Sequence, residues 1–476
     1  MRLLVDHLWT TIEGSYPESV VGPATSYFQD GYFFSPKFKK GYWDGRIKLL
    51  DKRKNRFPTG LLTRVCQALD KHVVDYEIND DREFDCVDPI YEFNGVKLRD
   101  YQRAALDTGL ESDTGVFHLA TGTGKAVCGA ALIKSIGRKT LWITHRLQLA
   151  RQMRGRLEKM LGQKVGFVGD GESDIQDVTV CMVQTLDRSE AEHRQDLRDF
   201  LSSVEVLIMD EIQHLGSDST LWYDQILKTS ARWRYGLSAT PDFDGAGLRL
   251  TALTGPVLYR LSTADAISRG VLVPPRIWFI ESQGPSVTSE KWASVYKEGI
   301  VENQARSKQA ALAAKRLVQD GKRPLIVVRQ IAHGRNIVLE LERQKLNTDF
   351  LSGTTTPDFE VRDMMFTALE TGTLDALVAQ VETVGEGLDF PWLRAIINAV
   401  GDKGGGNASK GETGQSTIQV MGRGLRPAPG KEYLDYVDFI DTSNKALKKA
   451  SKDRLGTLEA EGHGERIGFW RDYGSH

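Results

Sequence analysis

One stretch of eleven residues, 116–126, constrains the fold of this chain more than any other. Residues 116–119 are mostly apolar and typical of a buried strand, and residues 126–133 have helical composition. Between them lie the small residues Thr121, Gly122, Thr123 and Gly124, followed by Lys125. A strand, a glycine loop and a helix in this order direct backbone N–H groups and a helix N-terminus towards one point. The sequence therefore predicts an α/β fold with a phosphate site at the end of a strand.

The loop matches the phosphate-binding pattern G-x-x-x-x-G-K-[ST] only in part. Lys125 is in place and would bring a mobile positive charge to the outer phosphates. The first glycine of the pattern is missing from this loop, and Ala126 stands where the pattern has a hydroxyl group that binds Mg²⁺. A plain glycine turn between a strand and a helix would explain the stretch if it stood alone, so the prediction depends on the motifs further along the chain.

Length, net charge and cysteine content exclude several classes of protein. At 476 residues the chain has room for about three domains. The net charge of −2 excludes a general affinity for polyanions, so a nucleic-acid site must be a local patch. No apolar run reaches the ~18 residues of a membrane span, and the early charges at Arg2 and Asp6 do not fit a signal peptide. The four cysteines are far apart, so neither disulfides nor a zinc site is expected, and the cytoplasm is the predicted location.

Residues 1–88 are predicted to form a small α+β domain with a basic and aromatic character, ending in an acidic linker at 75–88. Residues 31–60 contain nine Lys and Arg against two Asp, interleaved with aromatic residues. This mixture suits phosphate contact together with stacking on bases. The alternative, that the aromatics are the domain core and the lysines its solvated rim, stays open. The candidate nucleic-acid contacts are Arg46, Lys48, Lys52, Arg53, Lys54 and Arg56.

Residues 89–262 are predicted to form a parallel-sheet lobe around the glycine loop. Asp210 and Glu211 directly follow the apolar run 206–209, so they should lie at the carboxyl edge of the sheet. Asp210 can bind Mg²⁺, and Glu211 can orient and deprotonate an attacking water, which are requirements of phosphoryl transfer. An acidic helix cap would explain the pair in isolation, but not its position 85 residues after Lys125.

Residues 263–476 are predicted to form a second lobe, with apolar strands at 323–328, 376–379 and 395–399. The glycine-rich segment 401–414 is predicted to be a flexible loop. Arg423 and Arg426, three residues apart, are predicted to share a helix face, where the planar guanidinium suits the charge of a transferred phosphoryl group. A solvated basic face would be the default interpretation of such a pair alone.

Taken in order, these motifs resemble those of superfamily-2 helicase motors over roughly residues 96–440. The resemblance implies an α/β fold of two RecA-like lobes with a small α+β N-terminal domain, and ATP and Mg²⁺ as cofactors. It implies that Lys125, Asp210 and Glu211 are catalytic, the two carboxylates holding the metal. Gln419, Arg423 and Arg426 would join them across the cleft. The implied nucleotide-binding residues are Gln102 at adenine, Thr121, Gly122, Thr123, Gly124, Lys125, Ala126 and Asp389.

The resemblance also implies DNA contacts at strand ends of the first lobe, by His145, Arg146, Gln184 and Thr185. Ala126 departs from the family pattern, and we expect weakened metal affinity with activity retained, because water can replace a missing ligand of Mg²⁺.

The N-terminal stretch, at residues 43–50 and 57–62, is similar to the small domain of phage UvsW-type branch-migration helicases. That similarity implies branched DNA (forks, Holliday junctions and D-loops) as the substrate, with roles in recombination, replication and repair. It further implies a phage protein in the cytoplasm of a bacterial host, a monomer, and recombination or replication proteins as possible partners. Two alternatives stay open: a double-strand translocase or restriction-type motor subunit that does not separate strands, and a DNA-binding scaffold with a decayed motor.

Overall fold

The computed structural model describes residues 1–29, 31–80, 82, 86–186, 195–212, 223, 226–227, 229, 231–239, 247–353, 359–384, 390–402 and 415–473. They form two compact units, one comprising most of residues 1–261 and the other most of residues 262–476. Nearly all of the glycine-rich segment predicted to be a flexible loop lies outside the described residues.

The N-terminal domain contains a four-stranded sheet and a separate two-stranded ribbon. Its elements are β1 (Arg2–Val5), β2 (Trp9–Glu13), α1 (Glu18–Ala24), β3 (Ser26–Phe28), α2 (Pro36–Lys39), β4 (Arg46–Lys48), β5 (Arg56–Pro58), α3 (Leu62–Lys71) and β6 (Glu77–Asp80). The sheet has the order β5-β2-β1-β6, and β3 pairs with β4 to form the ribbon. Strand β6 pairs in parallel with β1, so the prediction of an irregular linker was wrong for this part of residues 75–88.

The first lobe follows in the same unit. Its elements are β7 (Glu92–Phe93), β8 (Val96–Lys97), α4 (Asp100–Ser112), β9 (Thr114–Leu119), α5 (Lys125–Ile136), β10 (Thr140–Thr144), α6 (Leu147–Leu161), β11 (Gly166–Gly169), β12 (Glu172–Asp174), β13 (Val178–Met182), α7 (Gln195–Ser203), β14 (Val206–Asp210), β15 (Trp233–Ser238), α8 (Leu248–Thr254) and β16 (Val257–Leu261).

The sheet of this lobe places the predicted motifs on one edge. Its order is β12-β11-β13-β10-β14-β15-β9-β16, and in the described pairings only β12 runs antiparallel to its neighbour. Strands β10, β13 and β14 are mostly apolar and buried, as expected where both faces of a parallel sheet are covered. The carboxyl ends of β9, β10, β13, β14 and β15 therefore lie along one edge, where ligands bind in open α/β sheets.

The N-terminal domain and the first lobe share one hydrophobic core. Helix α3 and helix α8 both contribute buried leucines to it, including Leu69 and Leu253. Gly60 packs so closely on the backbone of Thr251 that a Cβ atom there would clash with its carbonyl oxygen. The buried guanidinium of Arg234 on β15 donates hydrogen bonds to the carbonyl oxygens of Leu253 and His7, so it joins the two parts directly.

The second unit is a further parallel-sheet lobe. Its elements are α9 (Thr263–Ser268), β17 (Pro275–Ser282), α10 (Trp292–Tyr296), α11 (Gln304–Gln319), β18 (Leu325–Val328), α12 (Ile331–Arg343), β19 (Thr348–Leu351), α13 (Phe359–Thr371), β20 (Ala376–Gln380), α14 (Val381–Val384), β21 (Ala395–Asn398), α15 (Gln415–Gly424), β22 (Leu434–Asp441), α16 (Lys445–Leu458) and β23 (Ile467–Phe469). The strand order is β19-β20-β18-β21-β22-β17-β23, parallel throughout the described pairings. The predicted fold class, two parallel-sheet lobes and a small N-terminal domain, is confirmed.

Candidate functional site

The glycine loop closes the gap between β9 and α5 in a compact turn. The hydroxyl and the backbone N–H of Thr123 both donate hydrogen bonds to the carbonyl oxygen of Ala120, at 2.7 and 3.2 Å. Gly124 has a φ of +90°, which glycine adopts at little cost. A Cβ atom there would lie 2.6 Å from Nε2 of Gln102, so a side chain at this position would collide with that amide. The glycine at this position thus allows the loop backbone to pack directly against Gln102.

Gln102 is buried in the first turn of α4. Its side-chain oxygen accepts a hydrogen bond from the backbone N–H of Arg99 at 3.0 Å, which fixes one end of the amide. The nitrogen end faces the glycine loop. The structure therefore places this candidate adenine contact beside the loop, while its contact with a base stays a prediction.

Lys125 and the two carboxylates of β14 meet at the carboxyl edge of the sheet. Nζ of Lys125 lies 3.2 Å from Oε1 of Glu211, and both side chains are largely buried. The backbone N–H of Glu211 donates a hydrogen bond to Oδ1 of Asp210 at 3.0 Å. Glu211 has a φ of +47°, unusual for a residue with a side chain and frequent at functional sites. Lys125 and Glu211, which are 86 positions apart in the sequence, are thus in contact.

The electrostatics of this cluster favour a bound cation. Burial and the neighbouring Glu211 carboxylate raise the pKa of Asp210 to about 7, although Lys125 opposes the shift. A divalent ion would favour the ionised form, and carboxylate oxygens are ligands that Mg²⁺ prefers. In the described ranges there is no group of three or more His, Cys, Asp or Glu side chains placed to hold a metal. The residues present fit a Mg²⁺ ion held by one or two carboxylates, with water or phosphate completing its shell.

The candidate DNA contacts of the first lobe lie at two neighbouring strand ends. Nε2 of Gln184 donates a hydrogen bond to the carbonyl oxygen of His145 at 2.8 Å, so the loops after β10 and β13 are joined. Arg146 and Gln184 are exposed. Thr185 is buried, which places its side chain away from an external DNA strand.

In the second unit the two candidate arginines are arranged differently from the prediction. Helix α15 ends at Gly424, so only Arg423 lies on it, and Arg426 lies in the chain beyond. The prediction of one shared helix face was wrong, because the helix stops between the two arginines. Both arginines are half-buried. Asp389 and the side chain of Gln419 lie outside the described part of the structure.

Lys431 is a buried residue of this region that the sequence analysis missed. Its ammonium group donates hydrogen bonds to the carbonyl oxygen of Pro391, at 2.8 Å, and to that of Gly424, at 2.6 Å. It thereby satisfies an orphan carbonyl at the end of α15 and ties it to the segment after residue 389. A single lysine in a polar loop has no pattern that could have identified it.

Four of the six candidate basic residues of the N-terminal domain contact an aromatic ring or a carboxylate. Arg46 lies over the ring of Phe28 and Arg56 over that of Trp9, each with its guanidinium carbon 4.0 Å from the ring centroid. Lys48 pairs with Asp44 at 2.7 Å, and Lys52 pairs with Glu18.

Between them, the exposed side chains of Arg53 and Lys54 lie on a turn closed by Asp51. The backbone N–H groups of both residues donate to its Oδ1. The turn is therefore ordered, with two cations directed to solvent.

Two further findings concern the cysteines and the apolar character of the helices. The four cysteines, Cys66, Cys86, Cys128 and Cys181, are all free. Among the helices described here, none is both long enough and apolar enough to span a membrane.

Comparison with known proteins gives matches to two family models. The model of the type III restriction enzyme res subunit matches residues 95–243, and that of the N-terminal part of DNA helicase UvsW matches residues 21–81.

Individual proteins are also similar to this chain. ATP-dependent DNA helicase UvsW of phage T4 is 24% identical over 454 residues, 90% of this chain and 87% of that protein. DNA 3'-5' translocase XPB2 of Sulfurisphaera tokodaii is 30% identical over 36% of this chain and 37% of its own length. The structure of Dbp5 of S. cerevisiae bound to RNA and ADP BeF3 has the same fold, with a TM-score of 0.52, 13% identity, and coverage of 78% of this chain and 89% of that one. The lobes, the order of the motifs and these likenesses agree in making the chain similar to DNA helicases of superfamily 2, with UvsW of phage T4 matching along most of its length.

Proposed function

We propose that this protein is an ATP-dependent DNA helicase that unwinds or branch-migrates branched DNA. The contact of Lys125 with Glu211, beside Asp210 at the end of β14, is the observation that carries the proposal. It supplies the cation and the carboxylates that phosphoryl transfer requires. The likeness to ATP-dependent DNA helicase UvsW of phage T4 along most of the chain supports helicase activity on DNA, and the branched form of that DNA is part of the proposal.

Each residue of this cluster has a distinct role in the proposed reaction. Lys125 binds the outer phosphates of ATP and gives up its contact with Glu211 when they arrive. Asp210 would hold a Mg²⁺ ion, which would supply charge neutralisation on the phosphates. Glu211 then positions the attacking water and accepts its proton. Arg423 and Arg426, with Gln419, stay proposed ligands of the γ-phosphate, because arginine forks match phosphoryl oxygens.

The proposed DNA contacts lie in two places of the first unit. Arg146 and Gln184 are exposed at the ends of β10 and β13, where a strand of DNA would meet the edge of the sheet that carries the nucleotide site. Arg53 and Lys54 offer charge for a duplex arm. A monomer acting with recombination or replication proteins is the assembly that we propose.

The test is steady-state ATP hydrolysis without DNA, with plain duplex and with a Holliday junction. We expect strong stimulation by the junction. The Lys125→Ala variant should lose at least about a hundredfold in rate, since one preorganised charge at the phosphates is worth several kcal/mol. Tight junction binding without hydrolysis under any condition would contradict the proposal and favour a scaffold.

A second candidate is a double-strand DNA translocase that hydrolyses ATP without separating strands. The match of residues 95–243 to a restriction-enzyme motor subunit and the translocase name of the archaeal relative favour it. Equal stimulation by plain duplex and junction, with no displaced strand in an unwinding assay, would select this alternative.

A further inference from the structure

The aromatic residues of the N-terminal domain are mostly outside its core. We call residues 31–43 the aromatic tip. Phe33, Phe34 and Tyr42 are 53%, 70% and 81% exposed, respectively. The domain core is built instead from other residues, namely Leu3, Ile12, Val21, Phe57, Leu61, Val65 and Leu69. The alternative that these aromatics form the core is wrong for this tip, and their exposure requires another explanation.

The tip is held at the end of the two-stranded ribbon. Strands β3 and β4 pair in antiparallel register, with Phe28 opposite Arg46. Beyond the ribbon, the backbone N–H of Gln29 donates to the carbonyl oxygen of Gly45 at 2.8 Å. The indole N–H of Trp43 donates to the carbonyl oxygen of Arg46 at 2.9 Å. These bonds close the base of the tip, so its rings are presented on an ordered turn.

Tyr32 organises the rings of the tip from the inside. Its ring centroid lies 4.8 Å from those of Phe28 and Phe38 and 5.7 Å from that of Phe33. Phe34 lies further out, with its centroid 4.3 Å from that of Phe33. Tyr32 thus serves as the support, and Phe34 and Tyr42 are the rings most open to a ligand.

Charge around the tip points to an anionic partner. Residues 31–48 contain five Lys and Arg against one Asp, and that Asp44 pairs with Lys48. The side chains of Lys37, Lys39 and Lys40 are exposed on the same short segment as the rings. Exposed rings next to exposed cations match a nucleic-acid strand, which offers base faces for stacking and phosphates for ion pairing.

We propose that the aromatic tip stacks on unpaired DNA bases at the branch point, a role that rests on the proposed function. Base faces are covered by neighbouring bases inside a duplex, so the rings of Phe34 and Tyr42 can stack only where strands separate. The lysines of the tip hold the adjoining phosphates. The tip thus marks the junction itself, whereas Arg53 and Lys54 contact a duplex arm.

The test uses a forked DNA with 2-aminopurine in the unpaired positions next to the branch. Binding of the intact chain should change the fluorescence of the 2-aminopurine, because stacking on a ring alters it. Phe34→Ala and Tyr42→Ala should each reduce that change and weaken fork binding about fivefold or more, the lower end for loss of one stacked base. The dependence of binding on salt should stay unchanged, since no phosphate contact is lost.

Two further variants separate stacking from general apolar contact. Phe34→Leu keeps apolar surface without a ring and should bind the fork as weakly as Phe34→Ala. Met364→Ala, which shortens another side chain that is 70% exposed, should bind like the unchanged protein.

Two outcomes would overturn the proposal. Full fork affinity and full fluorescence change in both alanine variants would show that the tip does not touch the bases. Normal fork binding by Phe34→Leu would show that position 34 acts through apolar contact and not through ring stacking. Since binding is measured without ATP, failure of the tip is distinguishable from failure of the proposed helicase activity, which is read by hydrolysis.

Discussion

At the scale of single residues, Ala126 is the departure from the family pattern with the clearest chemical consequence. It lies in the first turn of α5 directly after Lys125, where a hydroxyl group would be a ligand of Mg²⁺. We expect Ala126→Thr to lower the Mg²⁺ concentration for half-maximal ATP hydrolysis by roughly tenfold or less, because one oxygen ligand replaces a water. A magnesium titration of the ATPase rate measures this shift.

Ala126→Val is the matched control for that titration. Valine has nearly the shape of threonine and the same branching at Cβ, so it tests the steric effect without the hydroxyl. An equal shift in both variants, or no shift in either, would contradict a metal-ligand role for this position.

At the scale of elements, the turn that precedes β5 is predicted to contact a duplex arm through Arg53 and Lys54. Replacing both by Glu should weaken junction binding and reduce the slope of log K against log salt by about two, since two phosphate contacts are lost. Filter binding or anisotropy across a salt series gives the slope. The matched control is Lys448→Glu with Lys449→Glu, two exposed neighbours on α16. If both double variants behaved alike, the effect would be one of net charge and not of the turn.

Elements also show where sequence reasoning succeeded and where it failed. Strands such as β10, β14 and β20 were predictable because buried parallel strands are continuous apolar runs. Strand β22 was missed, because it carries an Asp at every third position.

The structure buries all three carboxylates of β22 and pairs them with cations. Asp435, Asp438 and Asp441 pair with Arg276, Arg454 and Arg306, respectively. Two of these arginines lie more than a hundred residues away from the strand. The sequence of the strand alone therefore does not show that its carboxylates are paired.

The candidate site likewise contains residues that the sequence predicted and one that it missed. Lys125 and Glu211 follow apolar runs, and the rule that parallel strands end at one edge brings them together. Lys431 was missed because it donates hydrogen bonds to carbonyl oxygens of two separate segments, which come together only in the folded chain.

At the scale of the whole molecule, we predict that mild acid weakens the fold through its buried histidines. Burial lowers the pKa of His118 and His463 from 6.5 to about 4, and it also lowers the pKa of His333 well below 6.5. The unfolded chain therefore binds more protons than the folded one in this interval. The free energy of unfolding should be highest above pH 6.5 and fall as the pH drops towards about 4. Urea unfolding at several pH values measures the decline.

His333 offers a direct test of this decline. It is fully buried, the positive charge of Arg306 disfavours its protonation, and within the described residues neither ring nitrogen has a hydrogen-bond partner. His333→Leu should reduce the slope of stability against pH by up to about 1.4 kcal/mol per pH unit, the effect of one proton. A uniform loss of stability at every pH, with the slope unchanged, would contradict this interpretation.

The core shared by the N-terminal domain and the first lobe determines how this protein can be divided. Leu69 and Leu253 belong to one apolar cluster, and Gly60 has no room for a side chain against Thr251. Cutting the chain near residue 88 would therefore expose an apolar surface on each of the two parts. The N-terminal domain is therefore not a unit that can be exchanged by itself. A chimera that exchanges substrate preference between related motors would have to take residues 1–261 as a single block.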